Sequence, residues 1–293
     1  MPNEREISFN KYWIIASYFL LLFLNIYIFW LIWRTEHRKL TFAMLDIGQG
    51  DALYIESPTG TQMLVDGGPP GQLMKQLPKM MPFFDKKIDA IMITNPDQDH
   101  IAGFADVLKS YKVGQVFEPG TFNESKIYQS IETAVKEKNI PDTIARRGMR
   151  IDMGGGAVVD VLFPDRDVST WTTNDGSIMA KLTYGTTSIM LTGDATAETE
   201  KILLSENSVA ALHSTILKVG HHGSRTSTSP DFVQAVNPTY AVISDGRDNK
   251  YGHPHQETLD TLGQFGVQIL RTDLVGNIIL KSDGQNADFS FHR

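Results

Sequence analysis

The chain has 293 residues, no cysteine and a net charge of −7 from 27 basic and 34 acidic residues. Five of the basic and three of the acidic residues precede residue 41; the remaining 22 against 31 exclude broad electrostatic attraction to nucleic acid. Without cysteine there are no disulfides, thiolate metal ligands or cysteine nucleophile, and the chain is long enough for one large core or two small ones.

The first element is the stretch Tyr12 to Trp33, without formal charge and rich in Leu, Ile, Phe and Trp. As a helix rising about 1.5 Å per residue it spans the roughly 30 Å hydrocarbon core of a bilayer. Tyr12, Trp13, Trp30 and Trp33 fall near its ends, where an interfacial aromatic belt belongs. The stretch exceeds the apolar region of a signal peptide and ends in Trp-Arg-Thr-Glu rather than at a small-residue cleavage site. This predicts a retained transmembrane anchor over residues 1–39. Arg5 and Lys11 on one side balance Arg34, Arg38 and Lys39 on the other, so charge assigns no orientation.

From Leu40 onward short apolar runs alternate with Gly, Pro, Asp and Asn. Strands are predicted at Thr41–Asp46, Ala52–Glu56, Met63–Val65, Ala90–Thr94, Val158–Phe163, Ile178–Tyr184, Ser188–Thr192, Thr215–Val219, Tyr240–Ser244 and Asn277–Lys281. Helices are predicted at Ile101–Tyr111, Glu124–Lys138, Ala197–Ser205, Pro230–Val236 and Gln256–Phe265. The pattern is that of a layered α/β domain over residues 40–293.

Chemistry concentrates where these strands end. Asn95-Pro96-Asp97-Gln98-Asp99-His100 follows one strand, Gly193-Asp194 a second and Gly220-His221-His222 a third. An isolated Asp-x-Asp is better read as a turn that caps a helix. Three strand ends that each deliver Asp or His after Gly or Pro are not, because imidazole is a poor turn former and converging strand ends present functional groups. Asp99, His100, Asp194 and His221 offer two oxygens and two nitrogens, suited to zinc or manganese, with Asp97 as an auxiliary ligand. Such an ion lowers the pKa of water toward about 7 and generates a nucleophile without serine or cysteine. Spacing alone leaves open whether His221 or His222 is the ligand.

The motifs Leu45-Asp46-Ile47-Gly48-Gln49-Gly50-Asp51-Ala52, Val65-Asp66-Gly67-Gly68, Asp97 to His100, Asn174-Asp175-Gly176-Ser177, Leu191 to Asp194, Lys218 to Ser224, Tyr251-Gly252-His253-Pro254 and Arg271-Thr272-Asp273 resemble the metallo-beta-lactamase fold. The likeness is to the branch found as the C-terminal domain of the DNA-uptake protein ComEC and as stand-alone relatives. It implies an αββα sandwich with a metal site at the rim between two sheets. The family run is His-x-Asp-x-Asp-His; here Asn95 stands in the first position. An amide is a weak ligand, so one ion is expected rather than two, held by Asp99, His100, Asp194 and His221.

The resemblance places Asp46, Gln49 and Asp51 beside the site and makes His253 a contact to phosphate or a proton donor to the leaving group. Asp66 orders the ligand turns or simply shapes its own turn with Gly67-Gly68. Asn174 and Ser177 position a substrate oxygen or form an ordinary hairpin connection. Arg225 and Lys250 neutralise a phosphate or are solvated surface. Asp99 and His253 are the expected catalytic residues. The function this predicts is a metal-dependent hydrolase: a phosphodiesterase or nuclease related to DNA uptake, a hydrolase of a small phosphoester such as phosphocholine, or a non-catalytic membrane-tethered binding module. The relatives place the domain outside a bacterial cytoplasmic membrane; no protein partner is indicated.

Overall fold

The computed structural model describes residues 4–36 and 38–292, with side chains of the first helix described for residues 11–30. The side chains of Arg5, Trp33 and Arg34, invoked above at the ends of the apolar stretch, lie outside the described residues. The chain divides into a helical unit ending at Arg38 and a body beginning at Lys39. Helix α1 runs Glu4–Glu36, and within it Lys11–Trp30 has a mean hydropathy of 1.9 and is long and apolar enough to cross a membrane.

The body begins with β1 (Leu40–Met44), β2 (Ala52–Glu56), β3 (Gln62–Gly67), α2 (Leu73–Met80), β4 (Lys87–Ile88), β5 (Ala90–Met92), α3 (Gln98–Ile101) and α4 (Phe104–Ser110). There follow β6 (Lys112–Val113), β7 (Val116–Glu118), α5 (Lys126–Glu137), β8 (Asp142–Ile144), β9 (Arg150–Gly154), β10 (Ala157–Phe163), β11 (Met179–Tyr184) and β12 (Thr187–Leu191). The last part contains α6 (Ala197–Glu206), α7 (Val209–Leu212), β13 (Ile216–Lys218), α8 (Pro230–Val236), β14 (Tyr240–Ile243), α9 (Gln256–Gln264), β15 (Gln268–Arg271), α10 (Thr272–Val275), β16 (Asn277–Ser282) and β17 (Ala287–His292).

Two large sheets result, in the orders β17-β16-β1-β2-β3-β5-β7-β8 and β15-β14-β13-β12-β11-β10-β9. Their facing sides bury Phe42, Met44, Leu53, Ile55, Val65 and Met92 against Val159, Val161, Leu182, Ile189, Leu191 and Val242. The residues between these point the other way and are buried too: Ala43, Tyr54, Leu64 and Ile91 pack with Leu73, Phe104, Val107 and Ile131 of α2, α4 and α5. On the far side Met190, Leu217 and Ala241 pack with Leu203, Phe232 and Leu262 of α6, α8 and α9. Burial on both faces explains why these strands read as continuous apolar runs rather than alternating ones. The architecture is the αββα sandwich.

The predicted helix Ile101–Tyr111 is broken at Ala102 and Gly103 into α3 and α4. Gly103 N donates to Gly68 O at 2.9 Å, and a Cβ on Gly103 would fall 2.0 Å from Gly67 O. This close approach locks the end of β3 against the helix pair. Phe104 is fully buried beneath it. Phe104→Ala is therefore expected to cost about 3–5 kcal/mol, read as a lowered urea midpoint at unchanged m-value. A loss below about 1 kcal/mol would remove this packing from the account.

Candidate metal centre

Strands β3, β5 and β7 run parallel, as do β12, β13 and β14, so their carboxyl ends open along one rim of the sandwich. Asp66 ends β3, Asp97, Asp99 and His100 follow β5, Asp194 follows β12, and His221 and His222 follow β13. The loop after β1 joins them: Asp51 N donates to Asp99 O at 3.2 Å. Gly50 has φ +125°, and a Cβ there would lie 2.2 Å from that same oxygen, so only glycine lets this loop reach the ligand turn.

His100 is fully buried, and its Nδ1 meets Asp66 Oδ2 at 2.8 Å. Asp66 also accepts from Thr94 N and Thr94 Oγ1, at 2.8 and 2.5 Å. With Nδ1 committed, His100 Nε2 faces Asp194 Oδ2 at 3.1 Å. His222, also buried, donates from Nδ1 to Ser244 O at 3.0 Å. Its Nε2 lies 3.7 Å from Asp194 Oδ2 and 3.6 Å from Asp99 Oδ2. His100 Nε2, His222 Nε2 and Asp194 Oδ1 are buried without a hydrogen-bond partner. Unsatisfied buried polar atoms are rare, and two imidazole nitrogens aimed at one carboxylate are the donor set of a divalent cation. Backing of each Nδ1 by a carboxylate or a carbonyl fixes both rings with Nε2 free, as ligating imidazoles require.

Among the described residues, two groups have ligand atoms that all lie within 4.8 Å of one another: Glu118, Glu132 and Asp142 away from the strand ends, with no histidine, and Asp51, His100, Asp194 and His222 at this rim. The second is the candidate centre. Against the expected set, Asp51 and His222 stand in this group and Asp97, Asp99 and His221 do not; Asp99 lies beside it, its Oδ2 3.6 Å from His222 Nε2. His222 stands in it rather than His221: both residues adopt left-handed backbone, with φ of 54° and 49°, and both Nε2 atoms lie 3.7 Å from Asp194 Oδ2, but only the His222 ring is fully buried. His221 is half-buried at the rim, with Nε2 3.7 Å from Asp194 Oδ2 and Nδ1 3.3 Å from Thr226 Oγ1. Asp97 is also outside it, its two carboxylate oxygens accepting from Asn123 and Thr173, each at 2.9 Å. Asp51, expected in a supporting place, approaches the rings from behind: Oδ1 is 3.3 Å from His222 Nδ1 and Oδ2 is ion-paired with Lys218.

Lys218 had no role in the sequence reading, although a lysine inside the apolar run Ile216-Leu217-Lys218-Val219 was a signal. It is fully buried and donates to Gly193 O at 2.9 Å. Burial pushes its ammonium pKa down, but Asp51 and Asp194 outweigh this and raise it. Burial likewise pushes Asp194 up, yet His100, His222 and Lys218 hold it well below the usual carboxylate range. In Asp99 burial is outweighed by the neighbouring imidazoles of His222 and His100, which bring it down to about 2.

Asn95 is buried with its amide consumed by the protein: Oδ1 accepts from Asp97 N at 2.9 Å and Nδ2 donates to Asn174 Oδ1 at 2.7 Å. Ser177 Oγ donates to Thr173 O at 3.3 Å. Asp46 N donates to Asn277 Oδ1 at 2.7 Å, and Gln49 Oε1 lies 3.5 Å from Gly246 N. His253 reaches the mouth, its ring 5.6 Å from that of His221 and its Nδ1 buried without a partner. Burial, then the charges of His222 and His221, lower its pKa to about 4, so it is neutral at pH 7. Arg225 is exposed, 3.5 Å from Glu257, and Lys250 lies 5.0 Å over the Tyr251 ring.

Residues 45–246 match the metallo-beta-lactamase superfamily, and the chain belongs to that superfamily. Within it the chain is similar to competence proteins. It is 31% identical over 268 residues to ComE operon protein 3 of Bacillus subtilis (strain 168), covering 85% of this chain and 34% of the relative. It is 26% identical to Competence protein ComA of Neisseria gonorrhoeae, covering 79% of this chain and 30% of the relative. The chain thus spans about a third of the length of these relatives. The metallo-beta-lactamase fold protein YhfI from Bacillus subtilis shares the fold at a TM-score of 0.56 and 10% identity, over 83% of this chain and 100% of that one.

The two neighbouring histidines separate by titration with zinc against a competing chelator. His222→Ala is expected to lower affinity by about 100-fold or more and His221→Ala by about tenfold or less. Equal losses would overturn the distinction.

Proposed function

We propose that the body, residues 40–293, is a metal-dependent phosphodiesterase acting on DNA, held on the outer side of a bacterial cell membrane by an anchor over residues 1–39. The observation that carries the chemistry is the convergence of His100 Nε2, His222 Nε2 and Asp194 Oδ1, buried and without hydrogen-bond partners. The naming of one relative as a competence protein supports DNA as substrate, and the apolar helix supports the membrane.

One ion, zinc or manganese, suits Asp99, His100, Asp194 and His222, and when bound it supplies Lewis acidity and lowers the pKa of water. The chain supplies the rest. Asp66 and the Ser244 carbonyl hold the two imidazoles in their tautomers. Asp99, with its side chain 38% exposed and its carboxyl ionised at neutral pH, orients the attacking water through Oδ2. His253, neutral at pH 7, acts through its ring nitrogens as a hydrogen-bond partner to the phosphoryl or leaving oxygen rather than as an imidazolium acid. Asn95, Asp97 and Asn174 form a closed polar wall that leaves the second position of the family without a free ligand pair.

A small phosphoester is the second reading, favoured by the acidic balance of the body, 22 basic against 31 acidic residues beyond residue 40. Full-length protein in detergent, stripped of metal and reloaded with manganese or zinc, is expected to cleave single-stranded DNA or a chromogenic phosphodiester. Asp194→Ala should lower that turnover by about 1,000-fold or more. Absence of any metal-dependent, mutation-sensitive turnover on either substrate would sink the enzymatic reading in favour of a binding module. Metal analysis of Asn95→His should show bound metal rising from about one toward about two per chain. Unchanged stoichiometry would count against the role given to Asn95.

A further inference from the structure

The end of the first sheet opposite the metal centre has a distinct surface. Phe83 and Phe84, in the turn between α2 and β4, are 89% and 86% exposed, the most exposed large apolar side chains among the described residues of the body. Lysines surround them. Lys86 Nζ lies 5.8 Å from the Phe83 ring centre and 4.9 Å from that of Tyr111. Lys87 in β4 is the register partner of Lys112 in β6, and Lys112 lines one hollow with Lys109 and Lys138.

Three of the acids nearby are already engaged, whereas Glu132 and Asp142 line the adjoining hollow beyond Asn139 and Pro141 and form no ion pair among the described residues. Asp89 pairs with Lys87 and Asp106 with Lys109, while Asp85 accepts from the Gln62 amide and from Lys87 N. Among the described residues no carboxylate pairs with Lys86, Lys112 or Lys138, so the part of this end around the two phenylalanines is locally basic, bounded on the Lys138 side by Glu132 and Asp142.

Its place in the topology is fixed by register. Thr41 at the start of β1 pairs with Glu56 at the end of β2, and Met63 near the start of β3 pairs with Ala90 at the start of β5. The Phe83–Phe84 turn is tied to this edge through Gln62, which bonds Asp85 and Asp89. The chain thus begins the body at the same edge that carries the two phenylalanines, and β3 and β5 deliver the ligand turns to the other.

We propose that this edge docks on the anionic face of a lipid bilayer, with Phe83 and Phe84 among the headgroups and Lys86, Lys112 and Lys138 on lipid phosphates. Exposed aromatics partition into the headgroup region, and lysines close to the surface are drawn to anionic lipid. The inference rests on the membrane anchorage proposed above, since a tether raises the effective concentration of a surface that would bind weakly alone. Docking directs the metal centre away from the bilayer, toward soluble substrate.

The absence of cysteine makes site-specific labelling direct. Full-length Phe84→Cys and Glu124→Cys, each carrying a bimane fluorophore, would be reconstituted into phosphatidylcholine vesicles with or without phosphatidylglycerol, some of the lipid bearing acyl-chain nitroxides. Glu124 is exposed at the metal-centre end. With anionic lipid, quenching at position 84 should exceed that at 124 by at least about threefold, and it should fall by about half in neutral lipid or with Lys86→Glu and Lys112→Glu together. Equal quenching at the two positions, or quenching at 84 indifferent to both lipid charge and the lysine changes, would overturn the proposal. So would shielding of position 84 that rises with protein concentration in detergent alone, which would mark a second copy as the occupant. Flotation of the same vesicles separates the two hypotheses: protein that fails to float refutes the anchor, whereas protein that floats without selective quenching at 84 refutes the docking.

Discussion

Six ionisable side chains, Asp51, Asp66, His100, Asp194, Lys218 and His222, are shut away from water where the two sheets meet. Burial of a charge costs several kcal/mol, and the arrangement tolerates it only because acids and bases alternate. Asp66 faces His100, His100 faces Asp194, Asp51 faces both His222 and Lys218, and Lys218 binds the carbonyl that precedes Asp194. The strand ends that carry them have one relative placement in which every charge finds its opposite. The rim is therefore held in register by electrostatics as well as by the apolar layers beneath it. A cation held by His100 and His222 would have to compete with protons there, since burial pushes their pKa values down but the surrounding carboxylates push them well above the ordinary value.

Much of the framework was legible because the central strands are buried on both faces. Ala52–Glu56 and Pro230–Val236 stand where their apolar runs and flanking turn residues put them. The strands that escaped notice are short or polar: Asp142–Ile144 and Ala287–His292 lie at the edges of the first sheet and are largely exposed, so no hydrophobic pattern marks them. Helix Leu73–Met80 was hidden by Pro78 in its interior. At the site, the crowding of Asp97, Asp99 and His100 at a strand end was visible as composition. Which of His221 and His222 is the buried one was not, because the strand-end pattern presents the two neighbours alike and the burial is set by a loop that is left-handed at both. Lys218 was passed over because a single charge in an apolar run reads as an interruption, whereas its partners lie far away in the chain at Asp51 and Gly193.

Three of the seven non-glycine residues with positive φ among the described residues stand at the candidate site. Asp66, His221 and His222 all have positive φ without being glycine. Such conformations persist only where surroundings over-determine them, and here hydrogen bonds from Thr94 to Asp66 and from His222 to Ser244 do so. The loop holding Gly50 completes the enclosure, because Ser244 Oγ also donates to Gly50 O at 2.6 Å. Loop, strand end and ligand turn are thus one rigid unit assembled from both sheets.

The pairing of Asn95 with Asn174 has a mechanical meaning. Asn95 follows β5 of one sheet and Asn174 precedes β11 of the other, and beside them Ile178 N donates to Thr94 O at 2.9 Å. Here neutral amides form a clasp, indifferent to chelators, to pH and to metal supply. The two sheets are therefore joined at this point by hydrogen bonds alone, and the closure does not depend on an ion being present there.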